Sequence, residues 1–157
     1  MKGFIFSLTF YSIFFLSCNS HDKLWYDFWT DFKTVVEKND AQGVVNLINS
    51  PLKGNFFEAS AGMGLSPNGV IKNYGRIIGT NVREEIISAK EDEWSERKIT
   101  SKNEAKLLGV PVDETVKILT LNLVSNVEEE YQIEWSQIFY FAKIDGDYKW
   151  CAMEIVG

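Results

Sequence analysis

The chain has 157 residues, 45% of them hydrophobic, with 16 Lys or Arg against 22 Asp or Glu and a net charge of −6 at pH 7. This length suits a single domain with a sizeable core. The acidic balance argues against nucleic acid as a partner, because neutralising phosphates requires clustered Lys and Arg. It gives no direct electrostatic attraction to anionic lipid either.

Residues 1–17 have the composition of a secretory leader. Lys2 is followed by an uncharged run from Gly3 to Ser17, and the run leads directly into Cys18. Its fifteen residues are too few to span a bilayer as a helix, which takes about 20. One positive charge, a short apolar stretch and small residues at the cut are typical of a cleaved signal peptide. The ending Leu16-Ser17-Cys18 resembles that of bacterial lipoprotein signals, in which the cysteine is acylated and becomes the first residue.

This resemblance implies a signal peptide over residues 1–17, a lipidated tether over residues 18–23 and a single α+β domain over residues 24–157. It also implies a lipid such as palmitate on Cys18 and a place in the cell envelope, with the membrane as partner. Asn19 is not the aspartate that retains lipoproteins at the inner membrane in enteric-type sorting. We therefore expect the outer membrane, on its periplasmic or surface face.

Cysteine and histidine usage excludes several kinds of site. If Cys18 carries lipid, Cys151 has no disulfide partner, and we interpret it as a small buried hydrophobe on a strand. His21 is the only histidine and lies next to the anchor, so Ser-His-Asp, Cys-His and histidine-rich zinc sites are excluded from the domain. The acidic run 128–130 lacks the ligand spacing of a calcium loop and predicts a solvated turn. We expect no metal and no cofactor.

The first half of the chain is helical in pattern. Asp22 caps a first helix, Asn39 provides its left-handed stop, and Asp40 caps a short second helix that runs to Ile48 and ends at Pro51. The first helix carries one apolar stripe at helical spacing, namely Trp25, Phe28, Trp29, Phe32, Val35 and Val36. A stripe of this kind predicts a core face rather than a cofactor site.

The middle of the chain predicts loops and short helices. Residues 52–65 form a packed connector or a loop at the mouth of a pocket, without the spacing of a phosphate-binding loop. Ser66-Pro67 starts a third helix that runs to Ile78, and a fourth short helix follows. The charged stretch 90–98 predicts a solvated face or turn around Trp94. Ser101 and Glu104 form a capping box for one or two more turns.

From Thr115 onward the apolar residues alternate, which predicts strands. The apolar sets before and after Ser136-Gln137 are out of phase, which predicts a β-bulge there. Asp145-Gly146 predicts a tight hairpin leading into a last strand, in which Cys151 and Trp150 face opposite sides. The helical patterns come first in the chain and the three antiparallel strands come last. This order predicts an α+β domain, with the helices on one face of a curved sheet.

Several of these segments resemble a known family. Asn39-Asp40, the helix from Ser66 to Ile78, and the closing segments 139–141 and 145–150 resemble small Bacteroidetes-type lipoproteins with a cystatin-like, nuclear transport factor 2-like cone. The resemblance implies a curved sheet wrapped by helices, often with a cavity between them. It implies no particular activity, because the superfamily includes enzymes, binding modules and assembly domains.

Two functions, and a structural role without a ligand, remain open. The first is a non-catalytic module that binds an envelope protein or a small ligand. The second is a ligand-binding protein or a hydrolytic or isomerase-like enzyme that uses carboxylates in the cone. A carboxyl group buried there would be suited to proton transfer. The candidate pocket residues are Tyr74, Trp94, Glu134 and Glu154. Tyr74 and Trp94 are weaker candidates than the glutamates, as is Arg76, and the simplest interpretation of both glutamates is that they face solvent.

Overall fold

The computed structural model describes residues 20–55, 64–90, 93–128 and 131–157. In chain order the elements are α1 (Ser20–Glu37), α2 (Ala41–Asn46), β1 (Ile48–Gly54), α3 (Pro67–Lys72), α4 (Tyr74–Ile77), α5 (Thr80–Ser88), β2 (Trp94–Lys98), α6 (Lys102–Leu108), β3 (Thr115–Glu128), β4 (Tyr131–Ile144) and β5 (Asp147–Val156). The leader, Cys18 and two of the acids in the run 128–130 lie outside the described residues. Their predicted roles stay predictions.

The strands of the described residues form one five-stranded sheet in the order β1-β5-β4-β3-β2. β3, β4 and β5 are the three antiparallel strands that the alternation and the Asp145-Gly146 turn predict. β2 pairs antiparallel with β3, and β1 pairs parallel with β5. α1 contacts β5 and α5 contacts β3, so the helices pack on this curved, mostly antiparallel sheet. The predicted α+β class is confirmed.

The two edge strands were not predicted. α2 ends at Asn46 and Ile48 begins β1, so the second helix is shorter than its apolar pattern suggests. β1 also takes the first part of the predicted 52–65 connector, where Leu52 and Leu65 exchange backbone hydrogen bonds of 2.9 and 2.8 Å. The charged stretch 90–98 contains β2, whose residues 95–98 are exposed. Charged side chains protect an edge strand from pairing with another sheet. Here the same charges favoured the prediction of a solvated face or turn, so the strand was not predicted.

Three of the described helices, α2, α3 and α6, begin where the capping residues predict. Asp40, Ser66 and Ser101 each accept a hydrogen bond from the backbone N–H three residues later, at 2.9, 3.2 and 3.5 Å. These bonds satisfy N–H groups that have no partner inside the first turn. α1 begins at Ser20, before the predicted cap at Asp22. α4 and α5 begin without a side-chain cap hydrogen bond, and Gly79 takes the N-cap position of α5.

β4 is regular, and both of its faces are apolar. Its pairing with β3 continues without a shift through Ser136 and Gln137, so the bulge predicted there is wrong. The two out-of-phase sets lie on opposite faces, one under the helix layer and the other partly under α6. On its other side, β4 pairs with β5 through a register shift, where Cys151 is an extra residue between the partners of Tyr140 and Phe141.

The bulge at Cys151 divides the core residues of β5 between the two faces of the sheet. Trp150 and Met153 belong to the cluster under the helix layer, whereas Cys151 and Ala152 belong to the cluster under α6. All four are fully buried. The predicted alternation along β5 therefore holds only on each side of the bulge. Cys151 is a buried residue on a strand, as predicted.

Candidate functional site

Aromatic rings fill the space between α1 and the sheet, where the resemblance described above implied a cavity. The ring centroid of Phe32 lies 5.3 Å from that of Phe141 and 5.7 Å from that of Trp150. Trp25 lies 5.7 Å from Phe141 and 5.1 Å from Tyr148. All four contacts are edge-to-face, the arrangement that aromatic pairs favour. The described side chains thus form a packed core in this space.

Tyr74 is buried in the helix layer, away from the sheet's outer face. The helix predicted over residues 66–78 is divided at Asn73, and Tyr74 begins the second part, α4. Its hydroxyl is buried and has no hydrogen-bond partner among the described residues. Burial raises the pKa of Tyr74, Arg83 opposes this rise and Asp40 adds to it. The hydroxyl is therefore a protonated donor at neutral pH.

Trp94 closes one edge of the aromatic core. It lies on β2, and its ring meets those of Trp29 and Trp25 edge to face at 4.3 and 4.8 Å. Its indole Nε1 is buried, and the described residues offer it no hydrogen-bond partner. The half-buried side chain thus packs against α1 from the sheet edge.

Glu154 lies on the outer face of the sheet, opposite the helix layer. It is half-buried and its Oε2 accepts a hydrogen bond of 2.8 Å from the Tyr140 hydroxyl. Burial and this hydrogen bond raise the pKa of Tyr140 well above its usual value. Arg97 and Glu104, which form an ion pair of 2.5 Å, lie near the same hydroxyl. The phenol therefore stays protonated and holds the carboxylate in place.

Glu134 is exposed, as its simplest interpretation predicts, and lines an open groove of about 270 Å³. The groove lies at the end of the sheet remote from the β4–β5 turn and is lined by Asn122, Leu123, Val124, Glu134, Trp135, Ser136, Val156 and Gly157. We call it the Glu134 groove. Val124 and Val156 are 48% and 53% exposed, which is high for aliphatic side chains. Neither was a sequence candidate, because alternation alone does not show which outward apolar positions lack a cover.

Two further open grooves flank α1. One of about 430 Å³ lies between α1 and the end of α5 and is lined by Tyr26, Trp29, Thr30, Lys33, Ala89 and Lys90. The other, of about 230 Å³, lies between α1 and the β4–β5 turn and is lined by Leu24, Asp27, Phe28, Asp31, Leu47, Asp147, Tyr148 and Lys149. The first is cationic at its rim and the second is mainly anionic.

The four predicted pocket residues do not come together. Tyr74 lies in the helix layer, Trp94 at the β2 edge of the core, and Glu154 and Glu134 on the outer side of the sheet. No groove described above contains more than one of them. The geometry of the described residues therefore gives them separate roles.

Gln137 is the buried polar side chain that sequence reasoning missed. It is 2% exposed, and its Nε2 donates to the Ile77 carbonyl oxygen and to the Met153 sulfur, each at 2.7 Å. The first bond connects β4 to the end of α4. The available signal was its place in the inward alternation between Trp135 and Phe139.

Residues 20–55, 64–90, 93–128 and 131–157 contain no group of three or more His, Cys, Asp or Glu side chains placed to hold a metal. In the same part of the chain, no helix is both long and apolar enough to cross a membrane.

Comparison with known proteins finds no matching family model and no matching curated protein. Among solved structures, the chain is similar to an NTF-2 like protein of unknown function from Shewanella oneidensis MR-1, with 9% identity, a TM-score of 0.43 and coverage of 86% of this chain and 98% of that one. It is also similar to a ketosteroid isomerase-like protein from Erwinia carotovora atroseptica SCRI1043, with 9% identity, a TM-score of 0.39 and coverage of 87% and 95%. At these sequence identities and TM-scores, the similarities give no information about the function of this chain.

Proposed function

We propose that the protein is a lipid-anchored, non-catalytic binding module of the bacterial cell envelope. The observation that carries the non-catalytic part is the aromatic core, since Phe32, Phe141 and Trp150 occupy the space where a cone enzyme would hold its substrate. The lipid anchor is supported by the leader that ends on Cys18. The outer membrane is its proposed location, because Asn19 follows the anchor.

The partner proposed for the Glu134 groove is an envelope protein. Val124, Val156 and Trp135 offer apolar contact there, and Glu134 offers an exposed carboxylate at the rim. Exposed apolar side chains grouped in a groove with a polar rim are typical of protein interaction sites. A segment with an apolar side chain next to a Lys or Arg would fit this chemistry.

The anchor is tested by metabolic labelling with a palmitate analogue and by membrane fractionation. We expect wild type to incorporate the label and to sediment with membranes, and Cys18→Ser to lose both. Cys151→Ala is the matched control, because it removes the other cysteine and should keep the label. Wild-type protein without acyl label would contradict the anchor.

The groove is tested with purified mature protein and photo-crosslinking to solubilised envelope proteins. We expect wild type to capture a defined partner and Val124→Glu to capture at least tenfold less, about 1.4 kcal/mol in binding free energy. Val112→Glu is the control, because Val112 is 41% exposed and lies outside the groove. Equal capture by both variants would place the partner elsewhere.

A second candidate function is small-ligand binding or catalysis on the outer face at Glu154. The specific observation is the Tyr140–Glu154 hydrogen bond, which orients a half-buried carboxylate. A thermal-shift screen of small polar metabolites should then give a ligand whose stabilisation is lost in Glu154→Gln and kept in Glu96→Gln, a control at an exposed edge-strand position. A screen without such a ligand counts against this function.

A further inference from the structure

The start of α1 leaves almost no chain between the anchor and the domain. α1 begins at Ser20, so Asn19 alone separates the helix from Cys18. An extended chain covers at most about 3.6 Å per residue, so the Cα atoms of Cys18 and Ser20 are within about 7 Å of each other. An acylated Cys18 lies at the bilayer surface, and the first turns of α1 must then lie next to the lipid headgroups.

These first turns expose two large apolar side chains. Leu24 is 42% exposed and Tyr26 is 43% exposed, whereas Trp25 between them is buried. At 1.5 Å per residue, their Cα atoms lie about 6 and 9 Å along the helix from Ser20. They occupy opposite flanks of α1, Leu24 in the groove beside the β4–β5 turn and Tyr26 in the groove beside the end of α5. Both are thus within reach of the interface.

The charges near Leu24 and Tyr26 decide the kind of lipid contact. The groove beside the end of α5 is lined by Lys33 and Lys90, and the groove beside the β4–β5 turn is lined by Lys149 with Asp27, Asp31 and Asp147. Together the two grooves carry three lysines and three aspartates. A mixed charge of this kind gives no net attraction to anionic lipid. Aliphatic and tyrosine side chains, by contrast, enter the headgroup region of a neutral or anionic bilayer alike. The contact is therefore apolar.

We propose that the end of the domain formed by the first turns of α1 and the β4–β5 turn rests on the bilayer, with Leu24 and Tyr26 in the lipid interface. This rests on the acylation of Cys18 proposed above. β4 connects the Glu134 groove to this end, and ten residues of strand span about 33 Å. The groove then faces away from the membrane, where a second protein can approach it.

The test uses the acylated full chain on vesicles of phosphatidylethanolamine and phosphatidylglycerol. Leu24→Cys and Tyr26→Cys each carry an environment-sensitive fluorophore, and Val156→Cys at the far end of β5 is the matched control. Lipidated Cys18 and buried Cys151 leave the introduced thiol as the site of labelling. We expect the first two labels to brighten several-fold on vesicles and to be quenched by spin-labelled lipid, and the control label to change in neither respect.

Each outcome decides between the orientation and the anchor. If the labels at Leu24 and Tyr26 behave like that at Val156 on vesicle-bound protein, the orientation is wrong and the anchor stands. If wild type carries no acyl chain by mass and does not bind vesicles, the proposed function fails and the orientation with it. Lys23→Cys, also exposed, is a further probe of the same end should one labelled variant fold poorly.

Discussion

The two faces of the sheet are built from different side chains. The face under the helix layer packs large rings such as Phe32, Phe139 and Trp150, all fully buried. The face under α6 packs smaller side chains such as Ala105, Cys151 and Ala152. Large rings bury more apolar surface per residue, so the helix side supplies most of the hydrophobic stabilisation.

The outer face is also the one that accommodates polar and exposed groups. α6 spans Lys102–Leu108 and covers one part of the face, where Val116 and Ala142 are buried. Beyond it, Glu134 and Val124 are exposed. The candidate carboxylates Glu134 and Glu154 therefore lie on the face that α6 covers only in part. The opposite face is filled by the packed aromatic core.

The largest expected effect is the loss of a ring from the helix side. Phe32→Ala should lower the free energy of unfolding by about 3–5 kcal/mol, because it leaves a cavity among rings that cannot collapse. Leu108→Ala under α6 is the comparison, with a loss of about 2–3 kcal/mol, since the short helix can move inward. Urea denaturation measures both. A larger loss for Leu108→Ala would reverse the ranking of the two faces.

The next effect is a pH dependence of the free energy of unfolding, which comes from Cys151 on the face under α6. Burial raises the pKa of the Cys151 thiol to about 12 from a reference of 9.0. Because the folded pKa is the higher one, the stabilisation is complete below pH 9 and is lost as the pH rises from 9 toward 12. Between pH 8 and 10.5 wild type should lose about 2 kcal/mol more than Cys151→Ala.

This pH effect is measured by urea denaturation of both proteins at the two pH values. Other groups that titrate in this range are common to both proteins, so the difference reports the thiol. Parallel stability curves would mean that Cys151 reaches solvent in the folded protein.

The third effect concerns the buried hydrogen bond on the helix side. Gln137→Met keeps the approximate side-chain volume and leaves the Ile77 carbonyl oxygen without its donor, which should cost about 1–3 kcal/mol. Ser136→Ala, on the opposite face of the same strand, should change stability by less than about 0.5 kcal/mol. Equal stability of the two variants would show that Gln137 contributes no more than its half-buried neighbour Ser136.

Local patterns predicted much of the fold. The apolar stripe from Trp25 to Val36 predicted a buried helix face, and Asp40, Ser66 and Ser101 predicted three helix starts. The candidate site was less accessible to prediction. Glu154 was named without its partner Tyr140, and Gln137 was missed, because each depends on contacts between distant segments.

The sequence by itself determined the helical and strand periods, the caps and the Asp145-Gly146 turn, since these depend on residues within a few positions of one another. Only the tertiary structure decided that residues 48–54 and 94–98 are edge strands and that Cys151 is the extra residue where β5 pairs with β4. Strand pairing joins residues far apart in the chain, and either face of an apolar strand can be the buried one until its cover is known.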